Sequence, residues 1–319
     1  MRRFMLRCLI GVLAGAAGHA ARADLILEPP PRSFFERTAA TMDAARQGLT
    51  TGYYGVARYL DSFFKRVDAP PDIPKSTARV RLALRLKDAD GLSPSAAFNA
   101  KMALPHAEER LNIFVDNLKR GTLPGDEDPR LEDERVNAGV RFWLWRQLRT
   151  YINFESGIRL HGIPDPFGQL EFQHDQPWAG WIGRFTQQGF WYAKEGFGEL
   201  TQVDFERHFG SRQLFRATTA ANWTEESAGV EFEQTFIYAQ PLPGAHQSLL
   251  PSISLFAHKS GSFLMDNYRA NVTWRRGLYR PWLILEVTPQ IEFPRERDFQ
   301  FTPSLRISFE AWFGSLPGD

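Results

Sequence analysis

Every second residue from Phe299 to Phe313 is apolar. Phe299, Phe301, Pro303, Leu305, Ile307, Phe309, Ala311 and Phe313 alternate with Gln300, Thr302, Ser304, Arg306, Ser308, Glu310 and Trp312. Successive side chains leave opposite faces of an extended backbone, so a period of two predicts a β-strand with one oily face and one charged face. The same alternation recurs along the chain. "ARVRLALRLK" sets Val80, Leu82, Leu84 and Leu86 against Arg79, Arg81, Arg85 and Lys87. "YINFESGIRLHG" sets Ile152, Phe154, Ile158 and Leu160 against Asn153, Glu155, Arg159 and His161. "AGVEFEQTFIYAQ" carries Glu231, Glu233 and Thr235 on its polar side; "MDNYRANVTWRR" carries Asn267, Arg269, Asn271, Thr273 and Arg275; "LILEVTPQIEF" carries Glu286, Thr288, Gln290 and Glu292.

Less regular candidates lie near 95–104, 108–118, 136–146, 167–174, 181–194, 197–209, 212–223 and 248–258, which gives about 12 to 14 strands. Most separators, such as "HFGSRQ", "KEGFGE" and "TEESAG", are too short for a parallel crossover, so consecutive strands must be antiparallel neighbours in an up-and-down meander. The longest gap, 119–135, is acidic and rich in Gly and Pro. If the sheet closes, the first strand near Arg79–Lys87 must pair with the last near Arg306 and Glu310.

Residues ahead of this region read differently. "MRRFMLRCLIGVLAGAAGHAARAD" has arginines before a short apolar run and an Ala21-Arg22-Ala23 site, the layout of a secretory signal peptide spanning 1–23. Residues 24–76 form an N-terminal periplasmic segment. Ser33 with Glu36 makes a capping box for a helix near 34–48. Tyr53, Val56, Ala57, Leu60, Phe63 and Phe64 share one face of a second helix, and the Pro-rich linker 68–76 follows. These helices, at 34–66, are a candidate docking element for a periplasmic partner, a plug, a helix lying on a membrane surface, or a face packed on the domain 77–319.

Composition narrows the alternatives. Lys plus Arg number 38 and Asp plus Glu 37, so no basic excess points to nucleic acid. The single cysteine, Cys8, lies within the signal, leaving an exported chain without disulfides. A soluble sandwich also alternates, but here the apolar faces are bulky and aromatic, with 26 Phe, 9 Trp and 8 Tyr in the chain. Several strands reach the roughly 9 to 11 residues a transmembrane strand needs. Trp and Tyr near strand ends, at Tyr151, Trp181, Trp191, Tyr192, Trp223, Tyr238, Trp274, Tyr279, Trp282 and Trp312, suit girdles at two membrane interfaces. The oily faces then meet lipid and the charged faces meet a lumen. The closing segment "PSLRISFEAWF" resembles the last strand of bacterial outer-membrane β-barrel proteins as a class, which alternates and finishes on an aromatic, here Phe313, read by the barrel-assembly machinery. The resemblance spans the signal and about 78–313 and implies an all-β, antiparallel up-and-down transmembrane barrel in the bacterial outer membrane. The chain departs from that pattern in ending with "GSLPGD" and in placing Pro289 and Pro303 inside strands, where each removes a ladder hydrogen bond, so an open sheet with edge strands stands as the alternative to closure.

Candidate chemistry is sparse. "HGIPDPFGQLEFQHD" places His161, Asp165, His174 and Asp175 around one expected turn, a candidate rim site where Asp and His could activate water or serine, as in a lipase or protease. No HExxH, GxSxG, P-loop or Cys/His metal spacing occurs, and no cofactor or metal is expected. The inward set is richer. Arg79, Arg81, Arg85, Lys87, Arg141, Arg159, Arg269, Arg275 and Arg306 can oppose Glu155, Asp204, Glu206, Glu231, Glu233, Glu286, Glu292 and Glu310. Such charges either tune selectivity in a water-filled pore or form an ion-pair network that fills the lumen. The sequence therefore supports a passive channel or small-solute transporter with a mixed-charge lumen. A rim hydrolase and a non-enzymatic structural or adaptor barrel are the alternatives.

Overall fold

The computed structural model describes the helical positions Asp43, Ala44, Arg46, Gln47 and Thr50, and residues 77–88, 91–103, 111–116, 136–161, 163–210, 213–243, 247–278 and 282–314. The expected signal peptide, the remainder of the two N-terminal helices, the linker 68–76 and the loop 119–135 lie outside the described residues.

Fourteen strands follow one another: β1 Thr77–Lys87, β2 Gly91–Ala103, β3 Leu111–Asp116, β4 Val136–Arg146, β5 Thr150–His161, β6 Ile163–Trp178 and β7 Trp181–Tyr192. Then come β8 Gly196–Phe209, β9 Gln213–Thr224, β10 Val230–Pro241, β11 Gln247–Ser260, β12 Ser262–Gly277, β13 Leu283–Pro294 and β14 Thr302–Gly314. Each strand pairs antiparallel with its neighbours in sequence, and β1 pairs with β14, so the sheet is a closed up-and-down barrel. The closing register sets Arg81 opposite Glu310, Arg85 opposite Arg306 and Thr77 opposite Gly314. With an even strand number, β1 begins and β14 ends at the same rim.

Closure, as expected, leaves no edge strand, so Pro289 and Pro303 sit inside paired strands and the open-sheet alternative falls. Pro289 is opposite Leu305 on the β14 side. On the β12 side the ladder breaks off at Asn271–Gln290 and resumes at Trp274–Val287, so it is interrupted where proline supplies no donor. A hydroxyl contact between Thr273 Oγ1 and Thr288 Oγ1, 2.9 Å, bridges the gap from inside the barrel. Pro303 lies one residue into β14, where an N–H is least needed. The final strand starts at Thr302 rather than Phe299, because Arg295–Arg297 forms a 3-10 turn and Asp298 and Phe299 take positive φ. Phe299 then packs on Tyr268 and Phe301 on Phe293.

Burial is inverted relative to a soluble domain. Val80, Leu82, Leu84 and Leu86 are exposed, Leu82 at 57 %, while Arg81 between them is 2 % exposed. On β14, Ile307 and Phe309 face out, whereas Thr302, Ser304, Arg306, Ser308 and Glu310 are buried. In a closed ring the buried side is the interior, so polar side chains fill the inside and apolar side chains clothe the outside. Trp145 and Trp178 are exposed toward the rim that carries the chain ends, and Trp191 and Trp223 toward the other. Some members of the expected girdles do not face outward: Tyr151 and Tyr192 line an interior cavity, Trp312 donates Nε1–H to Glu310, and Trp282 is buried.

Candidate functional site

The interior has two unlike sides. Along β12–β14 and β1, arginines and glutamates interlock. Glu310 Oε2 accepts from Arg81 Nη2 at 2.6 Å, and Glu310 Oε1 accepts from Arg275 Nη2 at 2.7 Å. Arg79 Nη1 lies 3.6 Å from the same carboxylate while its guanidinium stacks 5.4 Å from the Trp312 ring. Glu286 joins through Arg275 at 3.4 Å and Arg81 at 3.8 Å, and accepts from Ser308 Oγ. Lys87 Nζ reaches Glu292 at 3.5 Å. Arg269 sits over the Phe256 ring and donates to Ser254 Oγ. Buried charges persist only when paired and hydrogen-bonded. On this side Glu286, Glu292 and Glu310 each have a cationic partner, because inward positions of adjacent strands stand in direct register, Arg81 against Glu310 and Arg275 against Glu286.

The β3–β8 side is looser and encloses a cavity of about 300 Å³. Glutamines alternate with acids on its strands: Gln169, Glu171 and Gln173 on β6, Gln202 and Asp204 on β8. Arg141 Nε binds Glu155 at 2.5 Å, with its guanidinium over Phe114. Arg184 binds Asp175 at 2.9 Å and Glu206 at 3.4 Å, and Arg216 also pairs with Glu206. Toward the rim away from the chain ends, Arg159 holds Asp165 at 2.6 Å and Glu195 at 2.9 Å, and covers the Tyr192 ring at 3.7 Å. The β3–β8 wall is predominantly acidic, with Asp116, Glu155, Glu171, Asp204 and Glu206 exceeding Arg141, Arg159 and Arg184. The opposite wall, β12–β14 with β1, is predominantly basic, with Arg79, Arg81, Arg85, Arg269, Arg275 and Arg306 exceeding Glu286, Glu292 and Glu310.

The sequence candidates distribute unevenly over this frame. Glu231 lies at the start of β10, exposed, and accepts from Asn222 at 3.4 Å; Glu233, two residues further in, accepts from Thr235. Phe313 pairs across from Ala78 in the closing ladder. The rim quartet is not one cluster. The strands pair up to His161 opposite Ile163, and β6 runs unbroken from Ile163 to Trp178 through the segment expected to turn. His161 and Asp165 therefore stand at one rim. His174 and Asp175 stand near the other, about 30 Å away at roughly 3.3 Å per residue. Asp165 is clamped by Arg159 and the Lys194 amide, Asp175 by Arg184. His174 Nδ1 contacts Thr150 Oγ1 on the outer face. The structure does not place a nucleophile, base and orienting acid together from these residues. Among the described residues no group of His, Cys, Asp and Glu could hold a metal ion.

Glu171 and Arg184 are cavity-wall residues that the alternation pattern did not single out, because β6 and β7 are Gly- and Gln-interrupted and lack strongly apolar opposite faces. Their signal is register: Asn153 pairs with Glu171 and Arg184 with Asp204 once the strands are aligned.

No known family model matches the sequence, and no curated protein matches it. Among solved structures, outer-membrane expressed OmpT of Vibrio cholerae is similar at a TM-score of 0.45 with 8 % identity, covering 78 % of this chain and 100 % of that one. OpdK of Pseudomonas aeruginosa, an outer membrane protein, is similar at a TM-score of 0.45 with 8 % identity over 75 % of this chain and 98 % of its own. A doubly substituted form of OccD1 (OprD) gives 0.45 and 7 % over 76 % and 96 %.

Proposed function

We propose that the chain is a bacterial outer-membrane barrel, exported by its N-terminal signal, that acts as a passive channel or small-solute transporter with a mixed-charge lumen. One observation carries this reading: a closed ring whose outer face is apolar and whose buried inner face is charged is the inverse of a water-soluble fold. Lipid is the solvent that such an outer face requires. Exposed tryptophans toward both rims match two interfaces, and all strands but β3 have 11 residues or more, long enough to cross. The last strand, ending at Phe313, supplies the signal for the assembly machinery. The cavity on the β3–β8 side favours a path for solute over a wholly filled interior.

The test is single-channel recording of the purified full chain in planar bilayers. Discrete conductance steps are expected, and Arg184→Gln, which removes a positive charge from the cavity wall, is expected to shift the reversal potential toward cations. Inserted protein that never conducts would refute the channel and leave a barrel with a structural or docking role, for which loss of partner capture on deleting residues 24–76 is the corresponding measurement.

A further inference from the structure

The outer face is not apolar all the way round. Gln187 on β7, Thr201 on β8, Thr219 on β9 and Gln234 on β10 each lie between two inward neighbours: Thr186 and Gln188, Leu200 and Gln202, Thr218 and Ala220, Glu233 and Thr235. Alternation therefore turns all four outward. The strand registers make them neighbours. Gln187 is level with Thr201 and Thr219 with Gln234, while Thr201 faces Ala221, two residues along β9 from Thr219. Thr201 donates its hydroxyl to Gln187 Oε1 at 2.7 Å, and Thr219 donates to Gln234 Oε1 at 2.6 Å. Gln187 and Thr219 each stand seventh in a strand of 12 residues, so this polar band crosses the middle of the wall rather than a rim. On the other side of the ring the outward mid-strand positions are apolar: Leu82 on β1, Ile253 on β11, Ala270 on β12, Val287 on β13 and Ile307 on β14. Ser156 on β5 is polar, but its hydroxyl is spent on Phe167 O.

A second observation concerns donors. Gln234 Nε2 donates to Thr218 O at 3.0 Å, whereas among the described residues Gln187 Nε2 has no acceptor. An amide with unmet donors is costly against hydrocarbon, which offers it nothing. The outward positions around it are small: Gly183 and Gly189 on β7, Ala217 and Ala221 on β9. A side chain begun at Gly189 would meet nothing within 4 Å. Small residues let a second wall come close enough to hydrogen-bond.

We infer that the outer face of β7–β10 is where two copies of this chain pack against each other within the membrane, with Gln187 at the centre of a two-fold interface. The occupant follows from depth and chemistry. Copies of one barrel insert in the same direction, so a two-fold axis along the membrane normal brings each Gln187 to its counterpart at one depth. A primary amide is its own complement. Nε2–H of one copy donates to Oε1 of the other and receives the same in return, because each Oε1 keeps a second lone pair after accepting from Thr201. This goes beyond the channel reading: it requires a barrel in a membrane, but not a conducting one.

The test begins with the full chain in the membranes of cells that express it. Gly189→Cys, beside the axis, is expected to give a product of twice the chain mass with a short bis-maleimide. Leu82→Cys, on the far side of the ring, is expected to give none, and the parental chain, whose one cysteine is Cys8, sets the background. No product from Gly189→Cys or an equal yield from Leu82→Cys overturns the pairing. A product of another mass also overturns it, since a different protein then occupies the face. Gln187→Leu suits lipid, so the barrel is expected to fold while its dimer dissociation constant, from sedimentation in detergent, rises roughly tenfold. Gly189→Trp adds bulk to open space on the same face and is expected to leave monomers. Either variant decides once its resistance to unfolding in cold detergent gels shows a folded barrel: parental association in it overturns the assignment, as does a parental chain that is monomeric at every concentration. Conductance steps are expected to be unchanged in Gln187→Leu, so loss of the pairing and loss of the channel are read separately.

Discussion

Glu310 has no solvent contact, and three arginine side chains, Arg79, Arg81 and Arg275, converge on its two oxygens while Trp312 donates a further hydrogen bond. Removing the charge would strand those guanidiniums in the interior. Glu310→Gln is therefore expected to destabilise the barrel by about 3–5 kcal/mol, the scale for breaking a buried pair from one side. The loss should appear as a lower urea midpoint for the folded protein in detergent. Replacing a buried ion pair on both sides is far gentler than replacing one, so the Arg81→Met and Glu310→Met pair should recover part of the loss. The sequence made the Arg81–Glu310 contact legible, because closure of an alternating sheet brings its first and last strands together. It did not reveal Glu171 as an acid on the cavity wall. That property depends on the register of β5, β6 and β7.

At the scale of elements, the period of two identified nearly every strand, since each face meets a different solvent. Prolines misled it at β6. "IPDPFG" reads as a turn, yet Pro164 and Pro166 lie in a strand whose β7 partner begins its ladder only at Phe167. Ala193 N–H donates to Pro166 O, so the edge facing β7 is where proline's missing donor falls, and no ladder bond is lost there. Strand pairing also depends on Gly139 facing Gly157 in β4 and β5, where a methyl on either would overlap the opposing backbone. Gly157→Ala is expected to force these strands apart and to cost about 1–3 kcal/mol, measured by the same urea midpoint. The outer face obeys a different rule. Leu82 stands midway along β1 and points outward, so Leu82→Arg should cost about 2–4 kcal/mol in a bilayer. That penalty should diminish in short-chain detergent, where water can reach the guanidinium, and refolding yields in the two media report the difference.

The fourteen strands form a ring whose acidic and basic walls stand on opposite sides of one interior, β3–β8 against β12–β14 and β1. Opposed charges across a gap make a lateral electric field, perpendicular to the direction in which a solute would travel. Water in such a gap is oriented across the barrel and loses some of the freedom that lets it solvate a passing apolar group. In a conducting barrel a zwitterion would be turned broadside, its ammonium toward β6–β8 and its carboxylate toward β14 and β1. The distance between a solute's own charges, rather than its overall girth, would then decide how easily it crosses.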